Sequence, residues 1–302
     1  MKDREIEELI KISWDMHVHV GPDVLPRKYS VASLVVEEEG KMAGVVVKSH
    51  AFSTAPAVKV EEEKGRKIKL AGSVTLNNFV GGLNPDVVYA SASIATEFPC
   101  IVWLPTLHAE NHLKKCKGNY EIPPDWIKDP NFIPREKKEV KPIKIIDEDG
   151  QLTQETESVF RMIKKMGCVL ATGHLWWQEA KVLAEKALEM GIKVILTHVT
   201  ARDIIMPFKV QKELAKKGVF VEYCYVFWLD RDSPGDYPPL ESAENIKEIG
   251  SEQCIISSDT GQTRNPSPSE CLKVWVKLLA KHGLKKDDFY QMLVKNPQRI
   301  LK

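Results

Sequence analysis

Short apolar runs alternate with amphipathic stretches along most of the chain, and most of the runs end at a polar or charged residue. The runs are rich in Val, Ile and Leu, which is typical of parallel strands buried on both faces. Helical patterns lie between most of them, as right-handed crossovers between parallel strands require. The pattern predicts eight strands, at 13–20, 43–50, 69–77, 100–108, 168–174, 193–200, 219–226 and 254–261.

Eight strand–helix units in 302 residues predict an α/β chain that folds as a (β/α)₈ TIM barrel. We expect a single domain over residues 1–302. A doubly wound open sheet is the structural alternative. That fold usually carries a glycine-rich turn after its first strand, and "HVGPDV" is not such a turn.

Residues 110–150 interrupt the alternation after the fourth predicted strand. This segment is rich in Lys, Pro and Asp, and it is too polar to form a core of its own. It predicts a long insertion with a small hairpin near "IKIIDEDGQL". Its place after a strand end suits a lid, or a contact between subunits of a homo-oligomer.

Composition excludes several classes of partner. The 43 basic and 42 acidic side chains give a net charge of +1, so no overall field attracts nucleic acid or an anionic membrane. The N-terminus lacks the apolar core of a signal peptide, and no stretch approaches the roughly 20 apolar residues of a membrane span. Six scattered cysteines without a CxxC motif predict free thiols in a reducing cytoplasm. We therefore expect a cytoplasmic protein that acts on a small molecule.

Ionisable residues end the predicted strands. Because a barrel gathers the carboxyl ends of its strands on one rim, we expect these side chains to converge. Asp15, His17 and His19 alternate along the first strand, so they are predicted to share one face. The other candidates are Lys48, His50, His108, His174, His198 and Asp259, with Glu222 inside the seventh strand.

Imidazoles and a carboxylate are ligands that suit zinc or another divalent transition metal. A carboxylate at the rim can also accept a proton from water that the metal acidifies. His17 and His19 lie two residues apart, so they can bind one ion together.

In this order, the residues resemble the metal ligands of the amidohydrolase superfamily. His17-Val18-His19 is similar to its first-strand HxH motif, His174 and His198 to its fifth- and sixth-strand ligands, and Asp259 to its eighth-strand aspartate. The ending "NPQRIL" resembles its closing helix, and the Lys-x-His of the second strand is most similar to an uncharacterised amidohydrolase-related family. The resemblance implies a TIM barrel in which Asp259 binds metal and accepts the proton.

One feature departs from that pattern. Binuclear members bridge two ions with a carboxylated Lys or a Glu on the fourth strand, and "IVWLPTLHAENH" has neither at that place. His108 and Glu110 are possible substitutes. We therefore expect one ion rather than two.

Lys48 ends an apolar run, where a buried ammonium needs a partner. Three interpretations stay open: it binds a substrate anion or stabilises an oxyanion, it is carboxylated and ligates metal, or it forms a salt bridge with Glu222 or Asp15. Asp15 is predicted to support the HxH residues rather than bind metal. The predicted substrate contacts are Lys48, His50, His108, Glu222 and Arg202.

Together these features predict a metal-dependent hydrolase of an amide, lactone or other ester bond, with Asp259 and Lys48 as catalytic residues. Three alternatives remain open: a metal-dependent decarboxylase or hydratase of a carboxylic acid, a phosphoesterase, and a metal-binding barrel without catalysis.

Overall fold

The computed structural model describes residues 1–94, 96–116, 119–121, 133, 135–201, 203–229 and 239–302. Short parallel strands lie within seven of the eight predicted runs as single segments, and the third run contains two. The strands are β1 (Trp14–His19), β2 (Gly44–Lys48), β3 (Lys69–Ala71), β4 (Ser73–Thr75), β5 (Ile101–Trp103), β6 (Val169–Ala171), β7 (Val194–Leu196), β8 (Phe220–Cys224) and β9 (Cys254–Ser257).

Helices alternate with these strands, as the sequence predicts. They are α1 (Asp3–Lys11), α2 (Val31–Glu38), α3 (Ala55–Glu63), α4 (Pro85–Ser93), α5 (Glu110–Lys115), α6 (Gln154–Met166), α7 (Trp177–Glu189), α8 (Phe208–Lys216), α9 (Val226–Leu229), α10 (Pro239–Ile249), α11 (Pro268–Lys281), α12 (Lys286–Tyr290) and α13 (Asn296–Ile300). A π-helical turn, Gln291–Lys295, joins the last two.

The strands follow one another in chain order around a ring. The hydrogen-bonded ladders run β1-β2-β3 and β4-β5-β6-β7-β8-β9. The first and last strands meet beyond the end of β9, where the His19 amide donates to the Thr260 carbonyl at 2.7 Å and the Asp259 amide donates to the His17 carbonyl at 2.9 Å. The fold is the predicted (β/α)₈ barrel.

The gap between β3 and β4 has a local cause. A Cβ on Gly72 would lie 2.8 Å from the Ala55 Cα, so glycine is the residue that lets the start of α3 approach the strand. The Thr54 hydroxyl enters the ladder there, donating to the Val47 carbonyl at 2.9 Å and accepting from the Ser73 amide at 2.8 Å. Side-chain hydrogen bonds thus continue the ring where backbone pairing stops.

Two apolar clusters hold the barrel. The larger one packs the outer faces of the strands against the helices. The smaller one lies inside the strand ring, with Trp14, Met16, Val46 and Trp103 among its members, and Ile300 and Leu301 joining it from the C-terminus. The interior is therefore filled with side chains, which leaves the carboxyl-end rim as the place for a site.

The pairing of β1 with β2 corrects one prediction. Asp15 pairs with Val45, but the next pair is Val18 with Val47, so β1 carries one extra residue between them. Such a bulge breaks the strict alternation of side chains. Met16 packs in the interior cluster, and the adjacent His17 also points inward, toward Asp259. Two neighbouring side chains on the inside break the alternation, so Asp15, His17 and His19 do not simply share one face.

The insertion begins with α5 rather than with loop. Its predicted hairpin is present, because Ile146 pairs antiparallel with Leu152 around a turn. Much of the segment predicted as a lid or a subunit contact (117–118, 122–132 and 134) lies outside the described residues. All six cysteines are free, and none of the described helices has the length and apolar character of a membrane span.

A stability prediction follows from the tight contact of β1 with β2. A Cβ on Gly44 would lie 2.6 Å from ring carbons of Trp14. We expect Gly44→Ala to destabilise the fold by about 1–3 kcal/mol through overpacking. In the double variant with Trp14→Leu, the loss should be smaller than the sum of the two single losses. Denaturant unfolding of the four proteins measures this coupling, and strict additivity would contradict it.

Candidate active site

Five histidines form a closed ring on the rim at the carboxyl ends of the strands. In order around the ring, the distances between ring centroids are 5.2 Å for His17–His19, 4.7 Å for His19–His50, 6.1 Å for His50–His174, 4.9 Å for His174–His198 and 5.9 Å for His198–His17. They come from four strand ends that lie far apart in the sequence. Their burial makes them neutral, because desolvation is the main cause that lowers the pKa of each.

Three ligand atoms meet inside this ring. The Asp259 Oδ1 atom lies 3.2 Å from His17 Nε2 and 3.0 Å from His19 Nε2. We call His17, His19 and Asp259 the inner cluster. Burial raises the pKa of the Asp259 carboxyl to about 6, although the nearby His198 and Lys48 oppose that rise. The Cys224 thiol also lies within 4.8 Å of the His17 and Asp259 ligand atoms.

Glu222 orients His17 from below. Its carboxylate lies 3.3–3.4 Å from His17 Nδ1 and accepts the His198 amide at 3.1 Å. Burial alone raises the pKa of Glu222, but His17 and His198 outweigh it and hold that pKa at about 2. Burial also lowers the pKa of His17 to about 4. At neutral pH the proton therefore sits on Nδ1, and His17 presents the Nε2 lone pair to the inner cluster. Glu222 is fully buried, and its contacts here are His17 and His198; the predicted substrate contact stays a prediction.

Asp15 supports the backbone of the site. Its Oδ1 atom accepts the His17 amide and the Ser258 amide, each at 3.1 Å. Burial is the main cause that raises the pKa of Asp15 to about 7. The carboxyl thus ties the bulged strand β1 to the end of β9, which agrees with the supporting role predicted for it.

Lys48 lies inside the site. Its ammonium is 3.0 Å from His17 Nε2 and 4.2 Å from the centre of the Trp103 ring. Burial lowers the pKa of Lys48 to about 8, against the pull of Asp259 and Glu222. The predicted salt bridge to Glu222 or Asp15 is thus replaced by an imidazole and the face of an indole, and the anion-binding and carboxylation interpretations both fit this position.

Two of the predicted ligands have unusual backbone conformations. His198 has φ of 29° and Asp259 has φ of 53°, both in the left-handed region that non-glycine residues rarely adopt. A strained backbone of this kind clusters at functional sites. Beside Asp259, a Cβ on Gly261 would lie 2.0 Å from the His19 carbonyl oxygen, so glycine permits the close approach of the first and last strand ends.

His50 is held at the rim by a polar network. Its Nδ1 lies 2.8 Å from the Thr106 hydroxyl, which also accepts from the Asn77 side-chain amide at 2.8 Å.

His108 differs from the prediction for it. Its Nε2 lies 2.7 Å from Glu121 Oε2 and its Nδ1 accepts the Asn78 amide, so both ring nitrogens are engaged in the loops beside the histidine ring.

Sequence reasoning missed two residues of the rim. His112, on α5, brings its Nδ1 to 3.1 Å from His174 Nδ1 and 3.2 Å from Asp203 Oδ2. Cys224 lies two residues after Glu222 on β8, and alternation along that strand could have identified it. Arg202, a predicted substrate contact, lies outside the described residues.

The inner cluster fits a divalent transition metal. It offers two imidazole nitrogens, each within 3.2 Å of the same carboxylate oxygen, and histidine and carboxylate are ligands that zinc takes. Among the described residues, the buried Nδ1 atoms of His19 and His198 have no hydrogen-bond partner. The fit rests on the donor set, because the His19 atom that faces Asp259 is Nε2.

Comparison with solved structures places the fold among amidohydrolase-type barrels. An amidohydrolase from Pseudomonas aeruginosa is 11% identical, with a TM-score of 0.56 over 99% of this chain and 98% of that one. A putative 2-pyrone-4,6-dicarboxylic acid hydrolase from Pseudomonas putida is 12% identical, with a TM-score of 0.56 over 96% and 97%. A probable dipeptidase from P. aeruginosa is 11% identical, with a TM-score of 0.59 over 99% and 97%. The resemblance in fold is therefore confirmed.

The sequence model of DUF6282, a family of unknown function, matches residues 13–222. The chain belongs to this family. The match covers His17, His19, Lys48, His174 and His198, and it ends before Asp259. A comparison with curated proteins finds no match to the chain.

The support of His17 by Glu222 can be tested by metal binding. We expect Glu222→Gln to weaken zinc binding by about 10–100-fold, because the amide cannot fix the Nδ1 proton as the carboxylate does. Competition with a chromophoric chelator measures the affinity. Glu38→Gln, which changes another fully buried carboxyl on α2, is the matched control. Equal affinity in the two variants would contradict the orienting role.

Proposed function

We propose that this chain is a metal-dependent hydrolase that cleaves an amide, lactone or other ester bond of a small molecule. The observation that carries the proposal is that Asp259 Oδ1 lies within 3.2 Å of both His17 Nε2 and His19 Nε2 at the rim. The strained backbone at His198 and Asp259 supports a functional role for that rim. Solved barrels of similar fold include proteins named as amidohydrolase, dipeptidase and pyrone dicarboxylic acid hydrolase.

We assign the metal to His17, His19 and Asp259, with His198 beside them. A bound divalent ion, zinc in this proposal, would polarise the substrate carbonyl and acidify the attacking water. Asp259 would accept a proton from that water and pass it to the leaving group.

Lys48 would stabilise negative charge as it develops on the substrate oxygen. Its ammonium is fully buried and held 3.0 Å from His17 Nε2, and a fixed charge acts most strongly where it is shielded from water. His50, at 4.7 Å from the His19 ring, would contact the same part of the substrate. The proposed reaction consumes one water, and the proposal includes neither nucleic acid nor a membrane surface as a partner.

Chelation tests the dependence on metal. We expect a chelator to abolish hydrolysis across a panel of small amides, lactones and esters, and added zinc to restore it. Asp259→Asn should lower kcat by about 10²–10⁴-fold, because the proton acceptor is lost. Asp149→Asn, an exposed residue of the insertion, should act like the unchanged protein. Full turnover by the chelated protein, or by the Asp259→Asn variant, would exclude the proposal.

A second candidate is a metal-dependent decarboxylase or hydratase of a carboxylic acid. The buried ammonium of Lys48 favours it, because a cation inside the site suits a substrate carboxylate. We expect the protein to hydrolyse members of the panel of amides, lactones and esters, and neither to release CO₂ nor to hydrate its substrate. Stoichiometric CO₂ from carboxylic acids, in the absence of hydrolysis, would instead establish the second candidate.

The location of the protein and its partners stay predictions. Free thiols in all six cysteines agree with a reducing compartment. We propose a cytoplasmic enzyme with a small-molecule substrate. We also propose a homo-oligomer with the insertion at a subunit contact, and sedimentation would test this arrangement.

A further inference from the structure

A second group of ligand atoms lies at the edge of the histidine ring. It consists of His112 on α5, His174 after β6 and Asp203 in the loop after β7, and we call it the outer triad. The three ligand atoms, two Nδ1 nitrogens and Asp203 Oδ2, are separated by 3.1, 3.2 and 3.9 Å. His112 and Asp203 do not belong to the strand-end residues that the sequence predicts as metal ligands.

Hydrogen bonds among these three residues alone leave one close contact unsatisfied, whichever nitrogen carries the proton. The Nδ1 atom of His112 carries at most one proton, and that proton can point at Asp203 or at His174. If it points at Asp203, the two imidazole nitrogens face each other without a good hydrogen bond between them. If His174 instead donates to His112, a lone pair of His112 faces the carboxylate oxygen. One cation in contact with all three atoms removes both conflicts.

The surrounding structure holds the outer triad in place. The Asn111 side-chain amide donates to the Asp203 carbonyl at 2.7 Å and to the His174 carbonyl at 3.2 Å. The Lys115 ammonium donates to the Asp203 carbonyl at 2.6 Å. These bonds use backbone oxygens and leave the Asp203 carboxylate to the two imidazoles. Helix α5 therefore positions a ligand and clamps the backbone of the other two.

A similar group on the other side of the ring is engaged differently. His19, Asp23 and His50 also bring ligand atoms within 4.8 Å of one another. However, Asp23 forms an ion pair with Arg27, and its Oδ2 atom accepts from Arg27 Nε at 3.0 Å and from the His50 amide at 3.2 Å. That carboxylate is already neutralised, whereas Asp203 faces imidazoles.

We propose that the outer triad is a separate binding site for a divalent transition-metal ion. Its ligand set of two histidines and one carboxylate suits zinc, cobalt, manganese or iron(II), and ligand atoms 3.1–3.9 Å apart are compatible with metal–nitrogen bonds of about 2.1 Å. Three protein ligands leave coordination positions open. The side chains of His174 and Asp203 are 12% and 22% exposed, so these positions face the entrance, where a water or an oxygen of a substrate anion can bind.

This proposal changes the expected number of ions. The sequence predicts one ion, with His174 among its ligands. The structure turns His174 Nδ1 toward His112 and Asp203, and the inner cluster retains His17, His19 and Asp259. The outer site does not require the proposed hydrolase activity, because it is defined by metal binding alone.

Cobalt binding tests the outer triad. Co²⁺ is titrated into five chelated proteins. They are the unchanged protein, the outer variants His112→Gln and Asp203→Asn, the inner variant His19→Gln and the control His282→Gln. Visible absorption and elemental analysis after dialysis give the number of ions. We expect two equivalents for the unchanged protein and for His282→Gln, and one for each of the other three. Circular dichroism confirms that each variant is folded, and the two conservative outer variants cross-check each other.

The other outcomes are equally informative. Binding of a single ion that both outer variants retain would overturn the proposal. Loss of both ions from the outer variants would also overturn it, because the triad would then only support the inner cluster. A single ion that the outer variants lose and His19→Gln retains would establish the outer site and reject the proposed function.

Discussion

The contact of Asp259 with His17 and His19 joins the first strand of the barrel, β1, to the end of the last strand, β9. Its geometry depends on the seam where the Asp259 amide donates to the His17 carbonyl and the His19 amide donates to the Thr260 carbonyl. The ring of strands must close in this register for residues more than 200 positions apart to meet within 3.2 Å. The ionisable groups buried at the rim would be costly elsewhere, and Asp259, Glu222 and Lys48 each lie against a histidine there.

Burial and pairing together set the charge state of the rim. Desolvation keeps the imidazoles neutral, whereas His17 and His198 keep Glu222 ionised against its own desolvation. The proton of His17 is thus confined to one nitrogen. Asp15 and Asn77 fix the backbone and the neighbouring loops without entering the inner cluster. The site is thus built in layers, with carboxyl and amide groups orienting the residues that face the pocket.

The periodic pattern of the sequence was sufficient for the barrel and for the order of its strands. It also identified His17, His19, His174, His198 and Asp259 as a convergent group, because rim positions follow from strand ends alone. Local irregularities were not accessible in the same way. The extra residue in β1, the Thr54 hydroxyl in the ladder and the break at Gly72 depend on contacts between segments that no periodicity encodes.

The placement of individual side chains shows the same limit. His112 lies in a polar insertion, and only the packing of α5 brings it to His174. His108 occupies a predicted strand end, yet its ring nitrogens contact Asn78 and Glu121 in the adjoining loops. Glu222 is correctly placed near the site by its strand, but its depth in the barrel decides that it supports histidines.

The bulge in β1 has a consequence for how this chain can change over evolutionary time. Regular strands accept substitutions as long as polarity is kept, and the interior cluster leaves room for exchanges of similar volume. The segment between Asp15 and Val18 is constrained in another way, by its length. Loss of one codon there would restore a regular ladder and rotate the side chains on one side of the deletion to the opposite face of the sheet. Insertions and deletions in this short stretch should therefore be selected against more strongly than amino-acid replacements.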